Sequence, residues 1–328
     1  MKEENKNAKT ISVVVPFFNE EAVIETFYGE LCKTIAALPY NFEFLFVDDG
    51  STDATPLILD RLSREDQRVR ALILARNFGF QIALSCGLDH AQGDAVITMD
   101  GDMQHPPSLL PELIARWEDG FDVVQTIRVT TEGVSLFKRW TSRMFYKVMN
   151  FLSKVHVDEG GSDFRLLDKK VVASFRLFRE RARFIRGMIS AIGYRQVKVE
   201  FVAPKRAAGK SKFSLRKMIR FALDGITAYS NLPLRFAFAL GLIFGAISFV
   251  VSLHVLYIKL FTNEAVPGWA TTSLSVLLLS GIQLVSLGII GEYVGRIFEE
   301  VKQRPLYWLR ADLQGGRRGT GADEPGKK

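Results

Sequence analysis

Residues 95–104 read AVITMDGDMQ: five uncharged residues, Ala95 to Met99, end abruptly in Asp100-Gly101-Asp102-Met103-Gln104. A short β-rich run that stops in acidic, glycine-containing sequence reads as a buried strand presenting polar side chains at its carboxyl end. The pattern recurs upstream. Ile11–Val15 (ISVVV) ends in Pro16-Phe17-Phe18-Asn19-Glu20, Glu43–Val47 (EFLFV) in Asp48-Asp49-Gly50-Ser51, and Ala71–Leu74 (ALIL) runs toward Arg76-Asn77-Phe78-Gly79. A further run, Asp122–Ile127 (DVVQTI), follows, and helical stretches lie near Glu20–Ala37, Asp53–Glu65, Gly79–His90 and Pro107–Trp117. Strands alternating with helices predict an α/β fold with a doubly wound, mostly parallel sheet. In such sheets ligands collect at the carboxyl ends of the strands. One Asp-Asp-Gly-Ser also makes an ordinary turn and helix cap; four consecutive polar strand ends point to one shared crevice.

The chain has 328 residues, 48% hydrophobic and 24% charged, enough for one large or two ordinary domains and incompatible with a disordered protein. Cys32 and Cys86 stand far apart and the histidines (His90, His105, His156, His254) are scattered, which excludes a disulfide scaffold and a Cys/His zinc site. A net charge of +7 admits nucleic acid, a membrane or a phosphate-rich small partner. Nucleic acid is excluded by the arrangement: the cations gather around two apolar segments, without aromatic platforms among them on the soluble part.

Those segments are Phe236–Ile258 and Ala265–Gly291, free of formal charge apart from His254, and each is long enough to cross a bilayer. Lys205, Arg206, Lys210, Lys212, Arg216, Lys217, Arg220 and Arg235 precede the first, and Arg296, Lys302, Arg304 and Arg310 follow the second, so both termini are expected in the cytoplasm. The amino-terminal MKEENKNAKT has no apolar core, and no secretory signal is expected there. Between Ser214 and Ser230, Leu215, Met218, Ile219, Ala222 and Ile226 recur at helical spacing, which predicts a helix in the headgroup layer. The expected organisation is a soluble domain at 1–213, an interfacial helix at 214–232, two spans with a short external loop at 233–295, and a cytoplasmic helix and tail at 296–328. Residues 311–328, Gly-rich and charged, are expected to be disordered.

Asp100 and Asp102 repel one another unless a hard cation with oxygen ligands, Mg²⁺ or Mn²⁺, lies between them and a partner such as a diphosphate. Asp48 and Asp49 suit a base edge or a ribose hydroxyl. Together these predict a nucleoside diphosphate ligand. G-x-G-x-x-G after the first strand and G-x-x-x-x-G-K-[ST] are both absent, which removes support for hydride transfer and ATP hydrolysis.

VVVPFFNEE, FVDDGSTD, LARNFGFQIAL and MDGDMQHPP resemble glycosyltransferase family 2, with its nucleotide-sugar-binding GT-A fold. FKRWTSRMFYKVMNFLS, GGSDFRLLD, FIRGMISAIGY, GKSKFS, FALDGITAYSNLPLR and GEYVGRIFEEVKQRP, with the paired spans, resemble the polyprenyl-phosphate glycosyltransferases, above all the bactoprenol glucosyltransferase subgroup that supplies sugars for O-antigen modification. The resemblance covers roughly residues 11–310. It implies nucleotide contacts from Pro16, Phe18, Glu20 and Asp49, metal and diphosphate at Asp100 and Asp102, and Gln104 near the transferred sugar. It implies a lipid-phosphate site at Arg128, Lys138 and Ser142, by similarity to dolichyl-phosphate mannose synthases. Arg206, Lys210 and Lys212 fall in a loop that approaches the donor diphosphate in the family; a polybasic membrane contact is the alternative use of that stretch.

Asp163 matches a candidate base of the bactoprenol subgroup. A phosphate monoester is already substantially ionised at neutral pH, so Asp163 is expected to orient the acceptor or Arg165 rather than take a proton; a structural ion pair with Arg165 or a neighbour is the alternative use of this carboxylate. The resemblance implies a UDP-sugar as donor, with glucose from the bactoprenol subgroup, undecaprenyl phosphate as acceptor, single displacement with inversion, and residence in the bacterial inner membrane; the residues themselves leave the sugar open among glucose, N-acetylglucosamine, galactose and an amino-arabinose. Homo-oligomers are implied too, with Gly241, Gly245 and Ala246 suited either to helix contacts or to lipid. A processive synthase would need more spans and a Q-x-x-R-W run, which is absent. A non-catalytic membrane scaffold that kept the fold is the alternative from another class, and the intact Asp100/Asp102 pair argues against it.

Overall fold

Thr10–Phe17 forms strand β1, and every residue of it after Thr10 is buried. A strand covered on both faces is apolar nearly throughout instead of alternating, which is how this run reads. The structure is a computed structural model and describes residues 9–129, 160–202, 232–261 and 268–319. Beside β1 lie the parallel strands β2 (Asn41–Asp48), β3 (Val69–Leu74) and β4 (Ala95–Thr98), in the order β3-β2-β1-β4. Val13 and Val15 of β1 with Phe44 and Phe46 of β2 enter one core, and Val14 with Leu45 and Val47 enters the other. That is the two-residue period of extended chain.

Helices supply the covering faces at their own period. Ile24, Phe27, Leu31 and Ile35 of α1 (Ile24–Ile35), Leu59 and Leu62 of α2 (Thr55–Glu65) and Leu110, Leu113, Ile114 and Trp117 of α4 (Leu110–Glu118) fill the first core. The second is covered by α3 (Phe80–His90), α5 (Lys169–Leu177) and α6 (Ile185–Ile192).

The expected α/β architecture is present, but the sheet is mixed rather than mostly parallel. β6 (Gly161–Asp168) runs antiparallel to both β4 and β5 (Val123–Arg128), and β7 (Gln196–Phe201) is parallel to β5. β6 did not read as a strand because it carries Asp163 and Arg165, both buried in the fold. Charged residues in a buried strand are stable only when they neutralise one another.

The carboxyl-terminal segment departs from expectation as well. Residues 309–319, most of which read as disordered tail, form β8 (Leu309–Gln314) and β9 (Arg317–Gly319), with β8 antiparallel to β3, completing the order β7-β5-β6-β4-β1-β2-β3-β8-β9. Ala311 and Leu313 are buried, and Arg70 donates from Nε and Nη2 to the two carboxylate oxygens of Asp312 at 2.9 and 2.6 Å. Gly315 and Gly316 turn the hairpin with φ of +58° and +75°, values that glycine adopts without a Cβ clash. The charged composition hid a period-two pattern of Leu309, Ala311 and Leu313.

The described residues fall into two compact units, one holding 9–129, 160–202 and 304–319 and the other 232–261 and 268–303. The second consists of α7 (Leu232–Phe261) and α8 (Trp269–Val301), packed on each other. Leu232–Ile258 and Leu278–Val301 are long and apolar enough to cross a membrane, and only 6% and 0% of these windows are buried. Phe236, Phe249, Val250, Leu284 and Leu287 stand exposed, unlike the residues of a soluble core helix. α8 continues past the expected end of its span through Arg296, which pairs with Glu292 at 3.2 Å, a spacing of one helical turn that carries the charged sequence on in helical form. The amphipathic segment at 214–230 lies outside the described residues.

Candidate functional site

The strand order reverses between β1 and β4: the chain steps from β1 out to β2 and β3 and then returns to the other side of β1. Such a reversal opens a crevice at the carboxyl ends of the two strands. β4 stops pairing at Val14–Thr98, while β1 continues along β2 to Phe17. The Phe17 carbonyl accepts from Asp49 N–H on the β2 side, so Pro16 faces the side where β4 has ended. A residue without an N–H is tolerated in a central strand only at such a vacated edge.

The loops after β1 and β2 are stitched to each other. Asn19, in left-handed backbone at φ +53°, donates its N–H to Ser51 Oγ at 2.9 Å and accepts from Thr52 N–H at 2.9 Å. Glu20 N–H donates to Thr55 Oγ1 at 3.0 Å. Phe18 remains exposed at the rim. Asp48, fully buried, accepts from Ser51 N–H at 3.2 Å; burial raises its carboxyl above the usual range, against those hydrogen bonds. Asp49 accepts from the N–H groups of Phe78 at 2.7 Å and Gly79 at 3.0 Å, binding the loop after β3 to the loop after β2. Its carboxyl is also raised by burial. Both aspartates therefore brace the crevice wall.

The acidic loop lies on the ring of Phe17. A Cβ on Gly101 would stand 2.2 Å from Phe17 Cε1, so only glycine fits between the two aspartates. Asp102 accepts from Gln104 N–H at 3.1 Å, and Met103 between them is held at φ +64°. Gln104 Oε1 in turn accepts from Arg128 Nη1 at 3.2 Å. His105 closes the loop: its Nδ1 accepts the N–H of Asp100 at 2.8 Å, and its Nε2 lies 2.7 Å from Ser162 Oγ and 3.6 Å from Asp100 Oδ2. Burial holds this imidazole down at about 4, against the pull of Asp102 and Asp163. It is neutral at physiological pH.

Asp163, next after Ser162, is 8% exposed and sits between two guanidinium groups. Arg186 donates from Nε and Nη2 to its two oxygens at 3.0 and 2.9 Å, and Arg165 from Nη2 at 3.0 Å. Burial would raise this carboxyl, but the charge and hydrogen bonds of Arg186, with the charge of Arg165, hold it at about 2. Thr98 Oγ1 donates to the Asp163 carbonyl at 2.6 Å, tying this strand to β4.

The fold thus gathers Pro16, Phe18, Glu20, Asp48, Asp49, Asp100, Asp102, Gln104, Arg128 and Asp163 at one end of the sheet. Lys138, Ser142, Arg206, Lys210 and Lys212 lie outside the described residues. The sequence reading missed His105 and Arg186. An arginine in the first turn of a helix whose neighbours Ile185, Gly187, Met188 and Ile189 are all buried was the available signal for the second. Among the described residues no group of three or more His, Cys, Asp or Glu side chains is placed to hold a metal. Two carboxylates across a glycine that fits only without a Cβ suit a magnesium-like ion, which takes one or two carboxylates and completes its shell with phosphate oxygens and water.

The family model for glycosyl transferase family 2 matches residues 12–176. A bactoprenol glucosyl transferase derived from the SfII prophage of Shigella flexneri is 41% identical over 93% of this chain and 99% of its own length. An uncharacterized glycosyltransferase, YkcC, of Bacillus subtilis is 42% identical over 90% of this chain and 92% of its own. Among solved structures, the glucosyl-3-phosphoglycerate synthase of Mycobacterium tuberculosis, in complex with Mn²⁺, UDP-glucose and phosphoglyceric acid, matches 67% of this chain and 79% of that one, with 19% identity and a TM-score of 0.47.

Proposed function

The chain belongs to glycosyl transferase family 2, and from that membership we propose that it moves glucose from UDP-glucose to undecaprenyl phosphate, with inversion, at the cytoplasmic face of the bacterial inner membrane. It is a glycosyltransferase, and its likeness to bactoprenol glucosyl transferases over nearly the whole chain supports a polyprenyl phosphate as acceptor. The observation that carries the reading is the Asp100-Gly101-Asp102 loop at the β1/β4 reversal, tied through His105 to the strand of Asp163.

In this reading Pro16, Phe18, Glu20, Asp48 and Asp49 contact the nucleotide and Gln104 the sugar. Arg128, Lys138 and Ser142 hold the lipid phosphate, while Arg206, Lys210 and Lys212 bring cations to the donor diphosphate. Asp100 and Asp102 would hold Mg²⁺ or Mn²⁺, which when bound offsets the charge of a diphosphate. An acceptor phosphate oxygen forms the bond to the anomeric carbon as the bond from that carbon to the diphosphate oxygen breaks, and the electron pair leaves with UDP. No base is required, since the second pKa of a phosphate monoester is about 6. Asp163 acts by orienting Arg186 and Arg165. The two apolar helices anchor the chain in the membrane that holds the acceptor, with both termini cytoplasmic, and the product serves cell-envelope or O-antigen glycan modification.

The test is transfer from a panel of UDP-sugars to undecaprenyl phosphate in detergent, with Mn²⁺, Mg²⁺ or EDTA, beside Asp102→Asn. Cation-dependent product from UDP-glucose, reduced at least about 100-fold in the variant, is the expected result, in line with loss of a charge-stabilising group. No product from any donor, together with no nucleotide binding, would return the chain to the scaffold reading.

A further inference from the structure

We propose that His105 is a positioning residue: a strut of fixed length that sets the acidic loop after β4 in register with the Asp163 strand β6. The inference rests on the reading of Asp100 and Asp102 as the cation and diphosphate end of the site. Its two ends are both defined by hydrogen bonds. The N–H of Asp100 can only donate, so Nδ1, at 2.8 Å, carries no proton. The ring proton is therefore on Nε2 and is donated to Ser162 Oγ at 2.7 Å. Ser162 Oγ also accepts the N–H of Phe164 at 3.1 Å, which fixes the hydroxyl oxygen where His105 needs it. Only one tautomer satisfies this chain of bonds.

The ring has no freedom to turn. It is 6% exposed, stacked on Phe164 with centroids 5.1 Å apart at 22°, and met edge-on by Phe201 at 6.0 Å and 72°. The loop that it anchors needs such support. Met103 at φ +64° is a conformation that a non-glycine residue keeps only when its surroundings over-determine it. One end of the strut bears on Asp100, and the other on the residue before Asp163, which grips Arg186 through both oxygens. His105 thus sets the separation between the carboxylates that serve the donor diphosphate and the guanidinium group held by β6. A displacement of about 1 Å in such a constellation is enough to cost a hundredfold in rate.

The full-length chain in detergent is titrated with UDP in Mn²⁺ and in EDTA by calorimetry, and Mn²⁺ is followed by EPR, for wild type, His105→Phe and Ser162→Ala. Phenylalanine keeps a flat ring against Phe164 and Phe201 but removes both hydrogen bonds. The expected result is a loss of at least tenfold in Mn²⁺-dependent UDP affinity for His105→Phe, with binding in EDTA unchanged. Ser162→Ala, which keeps the Asp100 bond, is expected to hold Mn²⁺-dependent affinity and donor KM within threefold of wild type while kcat falls about tenfold. A histidine that only supports folding would lower Tm without altering the Mn²⁺ dependence or separating kcat from KM. If wild type binds UDP with Mn²⁺ and His105→Phe binds it equally well, the inference fails and the proposed function stands. If wild type shows no cation-dependent UDP binding, the reading beneath the inference fails and takes it along. Should His105→Phe not fold, Ser162→Ala decides alone: kcat reduced at unchanged affinity supports the strut, and unchanged kcat overturns it.

Discussion

Asp163 holds its proton so weakly, at about 2, that it is a carboxylate under all working conditions and a poor proton acceptor. Because this lies below the value in an unfolded chain, its contribution to stability is complete above about pH 4 and is lost as pH falls toward 2. The rate between pH 6 and 9 should therefore show no limb belonging to Asp163. Asp163→Asn leaves the buried Arg165 and the partly buried Arg186 without their counter-charge, and should lower stability by about 3 kcal/mol, read as a fall in Tm. Its residual transfer activity should keep the wild-type pH profile; a limb that disappears in the variant would restore a base. Ser162-Asp163-Phe164-Arg165 was readable as a potential ion pair because its partners are two residues apart. Arg186, 23 residues on, was not: nothing local shows that the first turn of α6 comes back to β6.

Strand β8 shows the same limit at the level of elements. Leu309, Ala311 and Leu313 alternate with Arg310, Asp312 and Gln314 and end in Gly315-Gly316, a hairpin pattern in a segment whose overall polarity suggested a tail. What makes it a strand is the open edge of β3 and the partner Arg70, 242 residues away. The side chains of Arg70 and Asp312 are 22% and 23% exposed and paired in fork geometry, so Asp312→Asn should cost about 1 kcal/mol. Thermal unfolding of Asp312→Asn, Arg70→Met and the double variant forms the cycle, with the double variant little worse than either single one. Full additivity would show that the pair contributes nothing. The central strands β1 to β4 were legible because burial on both faces makes them apolar regardless of neighbours; β6 was masked by charges that cancel only across the fold.

For the molecule as a whole, the asymmetry of charge around α7 and α8 leads to a directional expectation. A fluorescent protein fused to the carboxyl terminus should fluoresce and alkaline phosphatase fused there should be inactive, since both report a cytoplasmic end. The opposite pattern would invert the topology and place the donor site on the wrong side for a cytoplasmic nucleotide sugar. Two apolar helices, an α/β domain and polar residues at four strand ends were determined by the sequence alone, because period, run length and charge are properties of adjacent residues. The tertiary structure alone decided which strands pair, that β1 and β4 part at Pro16 to open the crevice, and that His105 and Arg186 converge on it. Those contacts join residues far apart in the chain, and their hydrogen bonds and charges are satisfied only once the sheet has brought them together.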